Sequence, residues 1–255
     1  MNQKKLRREC VISLLVCGMA SGLVAQGPPA DLIKRVAERE TQTELARASY
    51  TYRQSVELAE WNAQGARGGL YTETRDVLFS ATGERRETFL KKPADSLRFL
   101  KLTPEDFADL RDVQPALITN ERLPFYRARV KGAEAMDGIE CWAIALEPRQ
   151  ILEGQRFFEG LIWVSQADFS ITRTEGKAVP ALVRRKHGKR EENLFPRFST
   201  LRYRTPEGFW FPALTLADDD LAFQQGVVRM RLKVEYVQYR KFVAESSIRY
   251  ESPIK

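Results

Sequence analysis

The sequence predicts a mainly β protein with some α: a strongly curved antiparallel sheet, an incomplete barrel, with helices covering its concave side. Three observations carry this. Bulky apolar and polar residues alternate at period two in run after run from residue 49 onward. The runs succeed one another through short turns with no βαβ rhythm, so neighbours pair antiparallel. Helix-start chemistry is confined to a few places. Roughly nine to eleven strands and two or three helices follow, and a sheet that wide twists and curls. Curling makes a concave apolar side that so few helices only partly fill.

Residues 1–25 are read as an export leader. Lys4, Lys5, Arg7 and Arg8 form a basic start, "CVISLLVCGMASGLVA" is a short apolar run, and the cut is placed after Ala25. That leaves 26–255 as one domain in the periplasm. The leader takes Cys10 and Cys17, so Cys141 stands alone and no internal disulfide is expected. Within "IECWAIAL" it reads as a small buried hydrophobe. The formal charge of +7 falls to +4 once the leader's four bases and Glu9 are gone. A mildly basic chain of this kind has no recognition-helix pattern, and nucleic acid is not expected as a partner.

"PPADLIKRVAERETQTELARA" (28–48) opens with a helix that places Leu32, Val36 and Arg39 on one face, with Ile33 and Ala37 beside it. "SYTYRQSVEL" aligns Tyr50, Tyr52, Val56 and Leu58 at period two. Two further runs flank "SATGE", a hairpin turn, and "DSLRFLKL" is assigned another short strand. In "LTPEDFADLRDV", Thr103 is an N-cap, Pro104 the first helical residue and Asp106 the third, with Phe107, Leu110 and Val113 as the packing face. An irregular link through 114–126 then returns to strands. In "GIECWAIALEP", Trp142, Ile144 and Leu146 point one way and Cys141, Ala143 and Ala145 the other. "EGLIWVSQADFSITRTEGK" and "FSTLRYRTPEGFWFPALTL" each read as strand, turn, strand. Val228, Met230, Leu232, Val234 and Tyr236 alternate with Arg229, Arg231, Lys233 and Glu235, an antiparallel strand with one wet face. "VAESSIRY" is expected to close the sheet.

No catalytic site is expected. The single histidine, His187, lies in the basic run "RRKHGKR", read as a solvated loop and poorly placed to serve a buried nucleophile. One histidine and one remaining cysteine make no zinc site, and no phosphate-cradling glycine loop or other cofactor motif occurs. Asp218, Asp219 and Asp220 are read as a solvated turn that launches the following strand. Their spacing is not that of a calcium loop, and in a strand they would alternate faces. A glycan or lipid hydrolase would need two facing carboxylates, which only the fold could bring together.

The positive signal is aromatic. The chain holds 14 Phe, 8 Tyr and 4 Trp, many at strand positions. Large rings fill β cores, and a concave sheet lined with them also makes an apolar ligand cavity. The candidate lining residues are Trp142, Ile144, Trp163, Phe169, Trp210, Met230, Leu232, Val234 and Tyr236. Arg184, Arg185, Lys186, Lys189 and Arg190 could make a transient contact with anionic membrane or an acidic partner surface.

The segments "LTPEDFADLRDVQPALIT", "GIECWAIALEPR", "RFFEGLIWVSQADFSITRTEGKAVP", "LFPRFSTLRY" and "GFWFPALTLADDDLAFQQGVVRMRLKVEYVQYRKF" resemble the periplasmic outer-membrane lipoprotein-sorting-like proteins, the lipoprotein carrier and receptor superfamily. The resemblance implies an incomplete antiparallel barrel with helices as a lid over a hydrophobic cavity. It implies acyl chains or lipoproteins as ligands and sorting as a function. An envelope sensor or protein-interaction module is the alternative.

Overall fold

The computed structural model describes residues 27–80, 84–115, 117–186, 189–193, 195–224 and 226–242. Residues 1–25, read as an export leader, His187, and 243–250, expected to close the sheet, lie outside the described residues.

Helix α1 (Leu32–Arg47) leads into a meander of β1 (Tyr50–Asn62), β2 (Arg67–Phe79) and β3 (Arg85–Asp95). A strap, residues 96–103, carries the chain to α2 (Pro104–Ala108), which continues as a π-helical turn over Asp109–Val113. Then come β4 (Tyr126–Met136), β5 (Ile139–Pro148), β6 (Phe157–Ser165) and β7 (Ile171–Val179). A separate hairpin, β8 (Leu182–Lys186) and β9 (Lys189–Asn193), precedes β10 (Phe198–Arg204), β11 (Trp210–Phe223) and β12 (Gly226–Lys241). Ten strands form one sheet in the order β3-β2-β1-β12-β11-β10-β7-β6-β5-β4. Every ladder in it is antiparallel. The first and last strands of this sheet pair with each other at its middle, while β3 and β4 are left as open edges, so the barrel is incomplete. Lys91, Lys92 and Pro93 sit on the β3 edge, residues that discourage further strand pairing.

Period two explains the core. Tyr50, Tyr52, Val56 and Leu58 are all buried, as are Met230, Leu232, Val234 and Tyr236 opposite, while Arg229, Arg231 and Lys233 are exposed. The register sets Val56 against Val234 and Leu58 against Leu232, so like faces meet. Leu32 and Val36 of α1 join the same apolar cluster, which places the helix on the concave side. Its buried face runs on through Ala37, Glu40 and Thr43 rather than through Arg39. Arg39 lies over the Phe209 ring, 4.8 Å from its centroid, and donates to the Gly208 carbonyl at 2.6 Å.

Four expectations are corrected. "DSLRFLKL" is not a strand: β3 ends at Asp95, and beyond Ser96, whose N–H still reaches the Leu70 carbonyl of β2, the amides of Arg98, Phe99 and Leu100 bind a side chain instead of a neighbouring strand. Asp218, Asp219 and Asp220 lie within β11, not in a turn; the break to β12 comes after Phe223. Arg184 to Lys186 and Lys189 to Arg190 are strand residues of the β8–β9 hairpin rather than a loop, with Arg185 opposite Arg190. Trp163 faces away from the core. It pairs in register with Ala143, so it shares the Cys141 face and packs with Cys141 and Ala143 in a small outer cluster. Its Nε1 donates to Glu134 at 2.6 Å. Cys141 is fully buried there, and burial raises its thiol pKa.

Candidate functional site

The concave face leaves a cavity of about 800 Å³. One wall is sheet: Val56 and Leu58 of β1, Tyr71 of β2, Leu221 and Phe223 of β11, and Met230 and Leu232 of β12. The facing wall is the strap, from Arg98 to Thr103, with Asp109, Leu110 and Gln114 beyond it. Phe195 and Phe198 close the β10 side. Asn62 to Gln64 of the β1–β2 hairpin and Gln224, Gly226 and Val227 of the β11–β12 hairpin line it at the other end. The lining is mixed, with apolar side chains on the sheet and polar groups such as Arg98, Lys101, Asp109 and Gln114 along the strap and the turn beyond α2, and a volume of this size with both suits a small amphiphilic ligand.

The strap is held by one side chain. Glu60 follows Val56 and Leu58 on the inward phase of β1, where an apolar residue would be the cheaper choice. Its buried carboxylate accepts the backbone N–H groups of Gly69, Arg98, Phe99 and Leu100. Two glycines make room for this crossing. A Cβ on Gly68 would stand 2.5 Å from Glu60 Oε1, and one on Gly69 would stand 1.9 Å from the Ser96 carbonyl oxygen. The side chains of Leu97, Leu100 and Leu102 then turn to the core, and Phe99 stays 42% exposed.

Beyond the strap, α2 starts as its sequence indicates. Thr103 Oγ1 accepts the Asp106 N–H, and the Asp106 carboxylate accepts the Thr103 N–H at 2.7 Å, a complete capping box. The next turn presents Asp109, which binds Arg156 through both carboxylate oxygens at 2.9 and 2.6 Å. Arg156 also donates to the Pro180 carbonyl and stacks 3.8 Å from the Phe195 centroid. Burial lifts the Asp109 pKa to about 6 against the pull of Arg156. This pair ties the π-helical turn to the far strands and closes the cavity's polar corner.

Of the candidate lining residues, Met230 and Leu232 face the cavity. Trp142, Ile144, Val234 and Tyr236 are buried in the core cluster on the same side of the sheet. Phe169 packs against that cluster from the β6–β7 turn, under the Arg35 guanidinium at 5.1 Å. Trp210 is half-buried, with its indole nitrogen on Asp168 at 3.2 Å, and Trp163 lies on the outer face. Glu60, Asp109 and Gln114 were missed. Glu60 had a signal, a carboxylate in phase with an inward apolar run; the other two had none that local sequence carries. The acids at 218–220 do not converge: Asp218 binds Arg229 and Arg231, and Asp219 accepts the Arg197 N–H. Among the described residues no group of three His, Cys, Asp or Glu side chains is arranged to hold a metal ion.

No family model matches the chain. No curated protein matches it either. Solved structures do. A DUF1329 family protein from Desulfovibrio piger is 13% identical with a TM-score of 0.40, covering 87% of this chain and 96% of its own. An outer membrane lipoprotein-sorting protein domain from Vibrio parahaemolyticus is 12% identical at 0.40, covering 80% and 92%. A LolA superfamily protein from Nitrosomonas europaea is 13% identical at 0.33, covering 79% and 93%. Structures of the superfamily that the sequence resembles are thus among those similar to this chain. Identities and scores this low carry no argument about what the chain binds, so its function has to come from its own cavity.

Proposed function

We propose that this protein binds the acyl chain of a lipid or lipidated protein in the cavity between the sheet and the strap, as a periplasmic carrier rather than an enzyme. The observation that carries the reading is the cavity itself, roofed by the strap and floored by Leu58, Leu221, Met230 and Leu232. Each buried methylene of a ligand chain is worth about 0.8 kcal/mol, so a chain of a dozen carbons gains enough to bind without any polar contact. The export leader motivates the compartment, and lipoprotein sorting is the activity that the resemblance implies. The Arg184 to Arg190 run would then meet an anionic membrane or partner during delivery.

Uptake of a fluorescent fatty acid tests the reading. Saturable binding is expected, displaced by palmitate and weakened at least tenfold by Met230→Trp, which fills the floor. A wild-type protein that takes up no probe would sink the acyl-binding reading.

A further inference from the structure

The cavity wall contains one polar side chain whose needs the protein does not meet. Gln114 lines the cavity and is only 5% exposed. Its backbone is fixed at both ends: the N–H donates to the Asp109 carbonyl at 2.9 Å, and the carbonyl accepts from Thr200 Oγ1 at 2.9 Å. The side chain is therefore held at the wall, yet among the described residues its Oε1 has no hydrogen-bond donor. Buried acceptors are nearly always met, and an unmet one is costly. The neighbouring acceptor, Asp109, is already satisfied by both arms of Arg156. What this corner lacks is a donor. The last torsion of a glutamine is soft, so the carboxamide can swing its oxygen towards a ligand without moving the backbone.

We propose that the ligand is an acyl chain bearing an N–H or O–H near its polar end, an amide-linked or hydroxylated acyl group, which donates to Gln114 Oε1. Simple esters and hydrocarbons bring no donor and leave the oxygen unmet. The proposal rests on the acyl-binding reading above and narrows its ligand class.

Four probes of one chain length separate the two ideas, each read by displacement of the fluorescent fatty acid from the full-length protein after lipid stripping. N-methylpalmitamide has an N–H that N,N-dimethylpalmitamide lacks, and methyl 3-hydroxypalmitate has an O–H that methyl palmitate lacks. One buried hydrogen bond is worth about five- to thirtyfold in affinity. The donor-bearing member of at least one pair is expected to win by that factor, and the pair that discriminates identifies amide or hydroxyl as the source. Gln114→Leu is expected to bring both members of that pair to equal affinity. Equal affinities within both pairs on the wild-type protein overturn the proposal while leaving acyl binding intact. Discrimination that survives Gln114→Leu overturns the assignment to this residue. Failure of every probe overturns the acyl reading and this inference together. The wild-type comparison stands even where the variant does not fold.

Discussion

A carboxylate taken out of water costs several kcal/mol unless its oxygens are met. Four are buried among the described residues, and each is met differently. Glu60 binds backbone amides, Glu73 lies between Tyr71 and Arg75, Asp109 faces Arg156, and Glu40 of α1 faces Arg202 of β10. Glu40 takes the Arg202 guanidinium at 2.9 and 3.1 Å, with both side chains out of solvent. Arg202→Leu should therefore cost about 3–5 kcal/mol by leaving a buried charge alone. Adding Glu40→Leu should recover much of that, and urea unfolding of the cycle reads it. Additive losses would show that the two groups do not depend on each other. Asp109 makes a pH prediction. Its carboxyl pKa is raised from 3.8 to about 6, so between those values the folded state holds a proton that the unfolded chain has released. Stability from this group is greatest below pH 4 and falls as pH rises to 6, by at most about 3 kcal/mol. Asp76, Asp218 and Glu87 have lowered pKa values and act in the opposite sense at the acid end. The quantity to measure is thus wild type minus Asp109→Asn across pH 4–6. A flat difference would mean that Arg156 keeps Asp109 ionised throughout.

At the scale of elements, strands and caps were legible because their signals are local. The alternation of 228–236, the Pro-Glu-Gly turn and the Thr103–Asp106 box each lie within a few residues of one another. The strap was misread because "DSLRFLKL" has the apolar density of a strand, while the group that captures its amides lies 38 to 40 residues earlier, on β1. Only the fold brings Glu60 there. Glu60→Gln keeps the shape but replaces one anionic acceptor oxygen with a donor that faces other donors. It should cost about 2–3 kcal/mol and raise hydrogen exchange at the amides of 98, 99 and 100 by one to two orders of magnitude, with little change in β10–β12. Gly69→Ala should do the same from the other side, since its methyl has to displace the Ser96 carbonyl. Protection left intact in both variants would mean that the strap is held by its leucines and not by the carboxylate.

The curvature of the whole sheet was legible, since an antiparallel sheet of about ten strands must twist and curl. Whether the concave side is filled or hollow was not. That depends on how far the strap and α2 stand from β1 and β12, a distance that no local pattern encodes. Four of the nine candidate residues accordingly proved to be core, two face the cavity, and Trp163 sits outside. Curvature also separates the molecule into two sides with different work. Asp218 and Asp220 are exposed, like Arg229 and Arg231 which pair with Asp218, and this face carries alternating charge. Leu221, Met230 and Leu232 of the same two strands face the cavity. If the cavity is the working site, the outer acids are dispensable for binding. Exposed ion pairs are worth about 0–1 kcal/mol each. Replacing Asp218 and Asp220 together by Asn should lower stability by no more than about 1 kcal/mol and leave fatty-acid uptake within about twofold of wild type. Met230→Trp, on the neighbouring strand but the opposite face, should weaken uptake at least tenfold with the acids in place. Should the acid double variant lose uptake as severely, binding would have to be placed on the convex side, and the sidedness from which the carrier reading is built would be wrong.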